Sequence, residues 1–333
     1  MRIAGWIKFH LPLFGLSLLL LVASAWPARA QQAASWPHET IRIIVPYAPG
    51  GLTDVVGRTL SVELAKSLHV AVVVENKAGA SSLIGTEYVA KARPDGYTLL
   101  VGAGPMAIAE YLYPKLAYNP GRDFVPISLI AQNGLVLIAT NSGFEPNSVA
   151  AVVALAKMKP GAIGVASFGN GTLSHMALEK FSFEAGVALM HVPYKGTAQA
   201  MPDVIGGQVP LMFDNIATAL PQIQSGKVRA LAYTGAARSP LLPLVPTFHE
   251  LGFPGVEATN FYGVFAPAGT SPAVVSRLNE EVARIFGKTE VRQLFLSAGA
   301  EVLTSTPEAF AKFLKVQGNQ WAAVIRARGI KPD

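Results

Sequence analysis

Short apolar runs alternate along the chain with segments whose apolar residues recur every three or four positions. Ile41 to Val45 is apolar and β-branched, the pattern of a strand buried on both faces. Pro46 and Pro49 end it, and Gly50-Gly51 turns the chain. From Leu52 onward Val55, Val56, Leu60 and Leu64 carry helical spacing, with Thr53 or Asp54 placed to cap the helix. The unit recurs twice. Val70 to Val74 is a strand, residues 75–82 a turn, and Leu83 to Lys91 a helix; Tyr97 to Val101 is a strand, Gly102-Ala-Gly-Pro105 a turn, and a helix follows to Leu112. Three βα units in a row predict a parallel sheet with helices on its faces, and a ligand beyond the carboxyl ends of the strands.

Asp123 to Asn141 breaks the rhythm. Phe124 to Ala131 and Leu135 to Ala139 read as consecutive strands interrupted at Asn133-Gly134, long enough to cross between domains. A second βα series follows. Its strands are expected at Ile163–Ala166, Leu189–Val192, Val209–Phe213 and Val228–Ala232; its helices lie at 148–157, after Thr172 to Glu184, at 198–205 and at 218–224. Ala258 to Ala266 is a second long extended stretch, a return crossover. Ser271-Pro272 and Thr306-Pro307 each open a helix with a hydroxyl cap and a proline at the first position, and a short helix lies between them at 290–298. The last helix shows an apolar face of Phe310, Phe313, Val316, Trp321 and Ile325, expected to dock on the first domain. The predicted fold is α/β, with two domains, each a mainly parallel sheet flanked by helices, joined by two crossover strands. Residues 31–136 and 261–333 form domain 1 and residues 137–260 domain 2, with a cleft that closes about a hinge.

Composition fits that plan. The chain has 333 residues, 51% of them hydrophobic and 14% charged, so two domain cores are available. Net charge is +6, but Arg2, Lys8 and Arg29 fall in a leader without acids; its removal leaves 24 basic against 21 acidic residues. So small an excess, with no basic run, gives no reason to expect a nucleic-acid partner. The absence of cysteine excludes thiolate metal sites, cysteine catalysis and disulfides. Arg2 and Lys8, an apolar stretch from Leu11 to Ala25 and Ala28-Arg-Ala30 read as a signal peptide, residues 1–30, cleaved after Ala30. The apolar core is short of the roughly 20 residues a membrane span needs. An exported, periplasmic protein is expected.

At this point the sequence resembles the substrate-binding proteins of tripartite tricarboxylate transporters, the Bug family of periplasmic receptors. The resemblance covers Trp36 to Asp333. It rests on Val45-Pro-Tyr-Ala-Pro-Gly-Gly-Leu-Thr-Asp54, Glu75-Asn-Lys-Ala-Gly-Ala80, Pro94-Asp-Gly-Tyr-Thr-Leu99, Val192-Pro-Tyr-Lys-Gly196, Phe213-Asp-Asn215 and Ala266-Pro-Ala-Gly-Thr-Ser-Pro272. It implies a two-domain periplasmic-binding-protein fold of the second type. It also implies a small carboxylate ligand (a di- or tricarboxylate or related organic acid) held largely by backbone NH groups of the first two turns. Membrane permease subunits are the implied partners, and a monomer is expected. Carried onto this chain, the first turn offers Tyr47, Gly50, Gly51, Thr53 and Asp54, and the second Asn76, Gly79, Ala80 and Ser81. The facing domain offers Ser167, Gly169, Thr172, His175, Tyr194, Lys195 and Asp214. The chain departs from the family at Gly102-Ala103-Gly104-Pro105, where a hydroxyl residue is common, at Ser81-Ser82, where one position is usually glycine, and at Thr197, where a second glycine is usual.

Each residue also has a plainer account. Gly50, Gly51 and Gly79 suit an anion cradle at a helix start, beyond their use in turning the chain. Asp54 is odd beside an anion and fits better as a carboxylate bonded to local NH groups, or one holding bridging waters. Thr172 serves as a helix cap or a ligand contact, and both can hold. His175, inside a helix, fits packing better than ligand binding. Tyr194 suits a cleft wall. Lys195 suits a solvated surface, with a ligand partner as the alternative, and Asp214 suits fixing a loop. A secreted hydrolase needs a nucleophile, base and orienter. No G-x-S-x-G is present, and Ser167 with His175 is the one nearby Ser/His pair. Six histidines without H-x-x-x-H or H-E-x-x-H give no metal site, and no cofactor is expected. A ligand sensor for a membrane signalling partner shares the same binding fold.

Overall fold

The computed structural model describes residues 36–328 apart from 114, 171 and 195, with the backbone alone at 81, 327 and 328. The expected signal peptide lies outside the described residues. The chain divides into a unit up to His38 and a unit from Glu39 onward, and the elements below belong to the second.

β1 (Ile41–Val45), β2 (Val72–Asn76) and β3 (Thr98–Ala103) pair in parallel with β1 in the middle. α1 (Leu52–Leu68), α2 (Leu83–Ala90) and α3 (Pro105–Leu112) follow them in turn. Ile41, Ile43, Ile44 and Val45 are fully buried, as a strand covered on both faces requires. β4 (Phe124–Thr140) then runs 17 residues without a break. α4 (Val149–Met158), β5 (Gly164–Ser167), α5 (Leu173–Glu184), β6 (Met190–Pro193), α6 (Thr197–Ile205), β7 (Leu211–Asn215), α7 (Ile216–Gln224) and β8 (Val228–Tyr233) make the second series. β9 (Thr259–Pro267) returns antiparallel to β4, and α8 (Pro272–Phe286), α9 (Thr289–Ser297), β10 (Glu301–Val302) and α10 (Pro307–Arg328) close the chain. The sheet order is β2-β1-β3-β9-β4-β7-β5-β6, with β8 and β10 also on β4. Its outer parts are parallel, while every ladder made by β4 or β9 is antiparallel. The result is a mixed α/β sheet.

The expected interruption at Asn133-Gly134 does not occur. Both residues stay in the β4–β9 ladder, as Asn133↔Asn260 and Gly134↔Thr259. Gly134 is there for a close approach: a Cβ on it would sit 2.7 Å from the Tyr233 ring, whose hydroxyl accepts the Gly134 amide at 2.8 Å. Two strands run further than their apolar residues suggested. Glu75 and Asn76 pair with Ile44 and Val45, and Asp214 and Asn215 pair with Val136 and Leu135. Backbone pairing carried these polar ends, which alternation alone does not reveal.

Along β4, Leu135, Leu137 and Ala139 enter one core with Phe181, Phe213 and Phe248, while Val136 and Ile138 enter another with Met201 and Met212. That is the two-residue period of a strand covered on both sides. A further core gathers Ile44, Leu100, Phe124, Phe261, Phe265 and Phe310. The last helix departs from expectation. Phe310 and Phe313 pack on this third core, but Trp321 and Ile325 join the core of the second series, and Val316 is exposed. α10 therefore bridges both parts of the fold.

Candidate functional site

A cavity of about 460 Å³ opens where the carboxyl ends of the strands from both series meet. Four helices begin at its wall. Thr53 lies in the first turn of α1, Gly104-Pro105 starts α3, Thr172 caps α5 and Asn215 stands at the residue before α7, and each lines the cavity. The start of a helix leaves backbone NH groups unpaired and carries about half a positive charge, so this convergence favours an anion.

The floor is a chain of hydrogen bonds across three strands. The Gly104 amide donates to Asn260 Oδ1 (3.0 Å), and Asn260 Nδ2 donates to the Tyr262 hydroxyl (3.0 Å). Tyr262 donates to Asn133 Oδ1 (3.0 Å), and Asn133 Nδ2 donates to Asn215 Oδ1 (3.2 Å). Burial pushes the Tyr262 pKa far up, so its hydroxyl keeps its proton and remains a donor. Thr259, beside this floor, lines the cavity with a buried hydroxyl that has no partner.

The first turn is organised by Asp54, which is almost fully buried. Its carboxylate accepts from the Gly50 amide (3.0 Å), Asn76 Nδ2 (2.9 Å) and Arg58 Nε (2.8 Å). Burial alone raises the Asp54 pKa, but the bonds from Arg58, Asn76 and Gly50 outweigh it and hold the carboxyl below its ordinary value. Asn76 Nδ2 also donates to the Tyr47 carbonyl at 3.1 Å. The Gly50 amide is therefore already committed, which departs from the expectation of a free cradle, and its φ of +94° makes glycine the fitting residue there. The helix start at α1 has no side-chain cap, so neither Thr53 nor Asp54 serves as one; Gly51 stands at the cap position. Of the first-turn residues expected at the site, Tyr47 and Thr53 line the cavity, while Gly50, Gly51 and Asp54 do not. Burial raises the Tyr47 hydroxyl to about 12 against the opposing effect of a hydrogen bond with Ser82.

The second turn stands outside the cavity wall. Gly79, Ala80 and Ser82 all have positive φ, and Gly79 and Ala80 are exposed. The Ser81 side chain and Lys195 lie outside the described residues.

From the second series, Thr172 both lines the cavity and caps α5, its hydroxyl accepting the His175 amide at 3.5 Å. Ser167, Gly169, His175 and Tyr194 do not line it. Ser167 is fully buried, with Oγ 2.6 Å from His191 Nε2 and accepting the Gly169 amide at 3.1 Å. His175 stacks on His191 with ring centroids 3.8 Å apart, and its Nε2 lies 3.6 Å from Glu179. Burial and the neighbouring His175 push the His191 pKa down to about 4, with Glu179 opposing. The hydroxyl–imidazole pair is thus Ser167–His191 rather than Ser167–His175, and the serine has no exposed surface from which to attack a substrate. The Tyr194 hydroxyl donates to Asp203 at 2.7 Å, which turns it from the cleft wall where it was expected.

Asp214 is buried and ties two helix starts together, accepting from Thr197 and Thr218 at 2.8 Å each. Burial pushes its carboxyl up to about 6, against those hydroxyls and the Asn215 amide. An unfolded aspartate titrates near about 3.9, so between the two values the folded protein holds the extra proton, and this group's contribution to stability grows as pH falls. Urea unfolding of Asp214→Asn beside the parent, from pH 7 to pH 4.5, is expected to move the stability difference in the parent's favour on acidification; a pH-independent difference would contradict it.

Sequence reasoning missed Asn133, Asn215, Asn260, Tyr262, Phe168 and Trp321 as parts of this site. Asn215 and the third turn were within reach, since both end parallel strands. Asn260 and Tyr262 sit on a return strand, whose register with β4 no local pattern discloses.

A sequence profile described as the tripartite tricarboxylate transporter family receptor matches residues 56–330. Protein BugT of Bordetella pertussis is 37% identical over 314 residues, spanning 94% of this chain and 96% of that protein. Among solved structures, an R. palustris protein with adipate is 32% identical with a TM-score of 0.76, covering 90% of this chain and 100% of that one. The periplasmic binding protein BugD is 37% identical with a TM-score of 0.72 at the same coverage. MatC from Rhodopseudomonas palustris with bound malate is 33% identical with a TM-score of 0.71, covering 87% and 100%. With the profile spanning most of its length and relatives above 30% identity matched end to end, this chain belongs to the tripartite tricarboxylate transporter receptor family, the family that includes the Bug proteins.

Proposed function

We propose that this chain is an exported periplasmic receptor that captures a small organic acid by its carboxylate and hands it, chemically unchanged, to a membrane permease. Receptors of this family bind small carboxylates and work with membrane transporter components. The convergence of four helix starts on one cavity carries the reading, because it turns the positive ends of helix dipoles from both strand series toward one anion. Adipate and malate in the R. palustris relatives support the same ligand chemistry. We place the lobe boundaries near 136/137 and 260/261, so that β4 and β9 serve as the hinge of closure, and we take the working form to be a monomer cleaved after Ala30. Among the described residues no helix is long and apolar enough to cross a membrane.

Asn215→Asp tests it. The new carboxylate still accepts from Asn133 and complements the α7 dipole, so stability should stay within about 1 kcal/mol of the parent. The same charge faces the bound anion. Calorimetric titration with adipate, malate, benzoate and 3-phenylpropanoate should show the tightest of them weakened at least about tenfold, or about 1.4 kcal/mol. Unchanged affinity for that acid would remove the helix starts from the binding site.

A further inference from the structure

The cavity is not uniformly polar. Most of its hydroxyls and amides gather at the helix starts and floor, through Thr53, Thr172, Asn215 and Asn260, with the Tyr113 side chain at the far end of α3 and Asn170 before α5 as further polar lining. From Pro105 the wall continues along α3 through Ile108 to Leu112, seven residues or about 10 Å at the helical rise. Met176, Phe261 and Trp321 line it as well. Among the described residues none of the lining side chains is Lys, Arg, His, Asp or Glu. Lys180 lies close by, but its Nζ sits over the Trp321 ring at 4.1 Å and donates to the Glu257 carbonyl, and Lys180 does not line the cavity.

We propose that the ligand is a monocarboxylate with an aromatic or cyclic apolar body; this rests on the carboxylate-receptor reading above. The head group lies at the helix starts, where the helix dipoles and the side chains of Thr53, Thr172 and Asn215 meet it. The body lies along Ile108 and Leu112 towards Trp321, against walls that reward apolar and ring contacts. A second carboxylate at that distance would lie among Leu112, Met176 and Trp321, with no cationic side chain among the described lining residues to meet it. A compact di- or tricarboxylate that stayed at the helix starts would leave the apolar half unfilled.

Calorimetric titration of the mature chain with benzoate, 3-phenylpropanoate, adipate, malate, citrate and 3-phenylpropanamide decides the matter. Benzoate or 3-phenylpropanoate should bind at least tenfold tighter than adipate, malate or citrate. A di- or tricarboxylate that binds as tightly or more tightly overturns the proposal and leaves the receptor reading standing. The neutral amide matching its acid overturns the anionic head group, and no binding by any of the acids overturns both readings. Ile108→Lys adds a second arm. Ile108 is half-buried, so a lysine stem can lie along the wall with its ammonium at the apolar end. With the unliganded melting temperature as a control for folding, this variant should reverse the preference towards adipate by at least tenfold. Unaltered preference in a folded variant would show that the ligand body lies elsewhere.

Discussion

Tyr262→Phe is expected to lower stability by about 2–4 kcal/mol, because it strands buried polar groups on two strands at once. The ring is buried and remains packed, so the loss is confined to one oxygen. That oxygen joins Asn260 Nδ2 to Asn133 Oδ1 at 3.0 Å on either side. Without it both partners are left unpaired, each at about 1–3 kcal/mol, and the two terms need not add because they share one network. The consequence reaches the ligand. Asn260 holds the Gly104 amide at the start of α3, and Asn133 holds Asn215 at the start of α7. Two of the four helix starts around the cavity are thus positioned through this hydroxyl, and ligand affinity should fall at least about tenfold, or about 1.4 kcal/mol. Urea unfolding with an unchanged m-value checks the first effect and titration with the tightest acid checks the second. A variant as stable and as tight-binding as the parent would mean that the relay positions nothing.

The sequence was most readable where one strand leads directly into one helix. The βα units were legible because a buried strand needs a continuous apolar run, and the helix after it needs an apolar stripe and a turn of small residues. The crossover strands were legible as long extended stretches for the same reason. Asn133-Gly134 misled because a polar pair and a glycine look like a break, whereas the glycine makes room for Tyr233 and the asparagine joins a buried network. The C-terminal helix misled because its stripe does not say which core each half meets; Trp321 crosses to the second series while Phe310 stays with the first. At the site, local chemistry suggested that the glycine amides of the first turn were open to a ligand. The structure instead gives the Gly50 amide to Asp54, from within the same ten residues. Asn76 completes that arrangement from a separate strand, and such long-range pairing leaves no trace in local periodicity.

Asp54→Ala therefore tests the supporting layer of the site, and the expected loss is about 3 kcal/mol, since hydrogen bonds to a charged acceptor are worth about 1.5–3 kcal/mol each and three share this one carboxylate. The bond to Arg58 counts least, because that side chain is more than half exposed to solvent. Removing the carboxylate frees Gly50 and half of Asn76, which also holds the Tyr47 carbonyl. Tyr47 and Thr53, the two first-turn residues that reach the cavity, lose the brace between them, and affinity should drop at least about tenfold. The pH dependence separates the charge from the packing. The carboxyl is held below its ordinary value in the folded state, so its stabilisation is complete above the unfolded pKa of about 3.9 and is lost as pH falls through the folded one. The stability difference between parent and Asp54→Ala should accordingly be constant from pH 7 to about 5 and shrink below about 4. Asp54→Asn, which keeps the shape but offers one acceptor oxygen to three donors, should fall between the two at neutral pH. An alanine variant that is destabilised yet binds its acid as tightly as the parent would show that the first turn serves the fold alone and leaves the ligand to α3, α5 and α7.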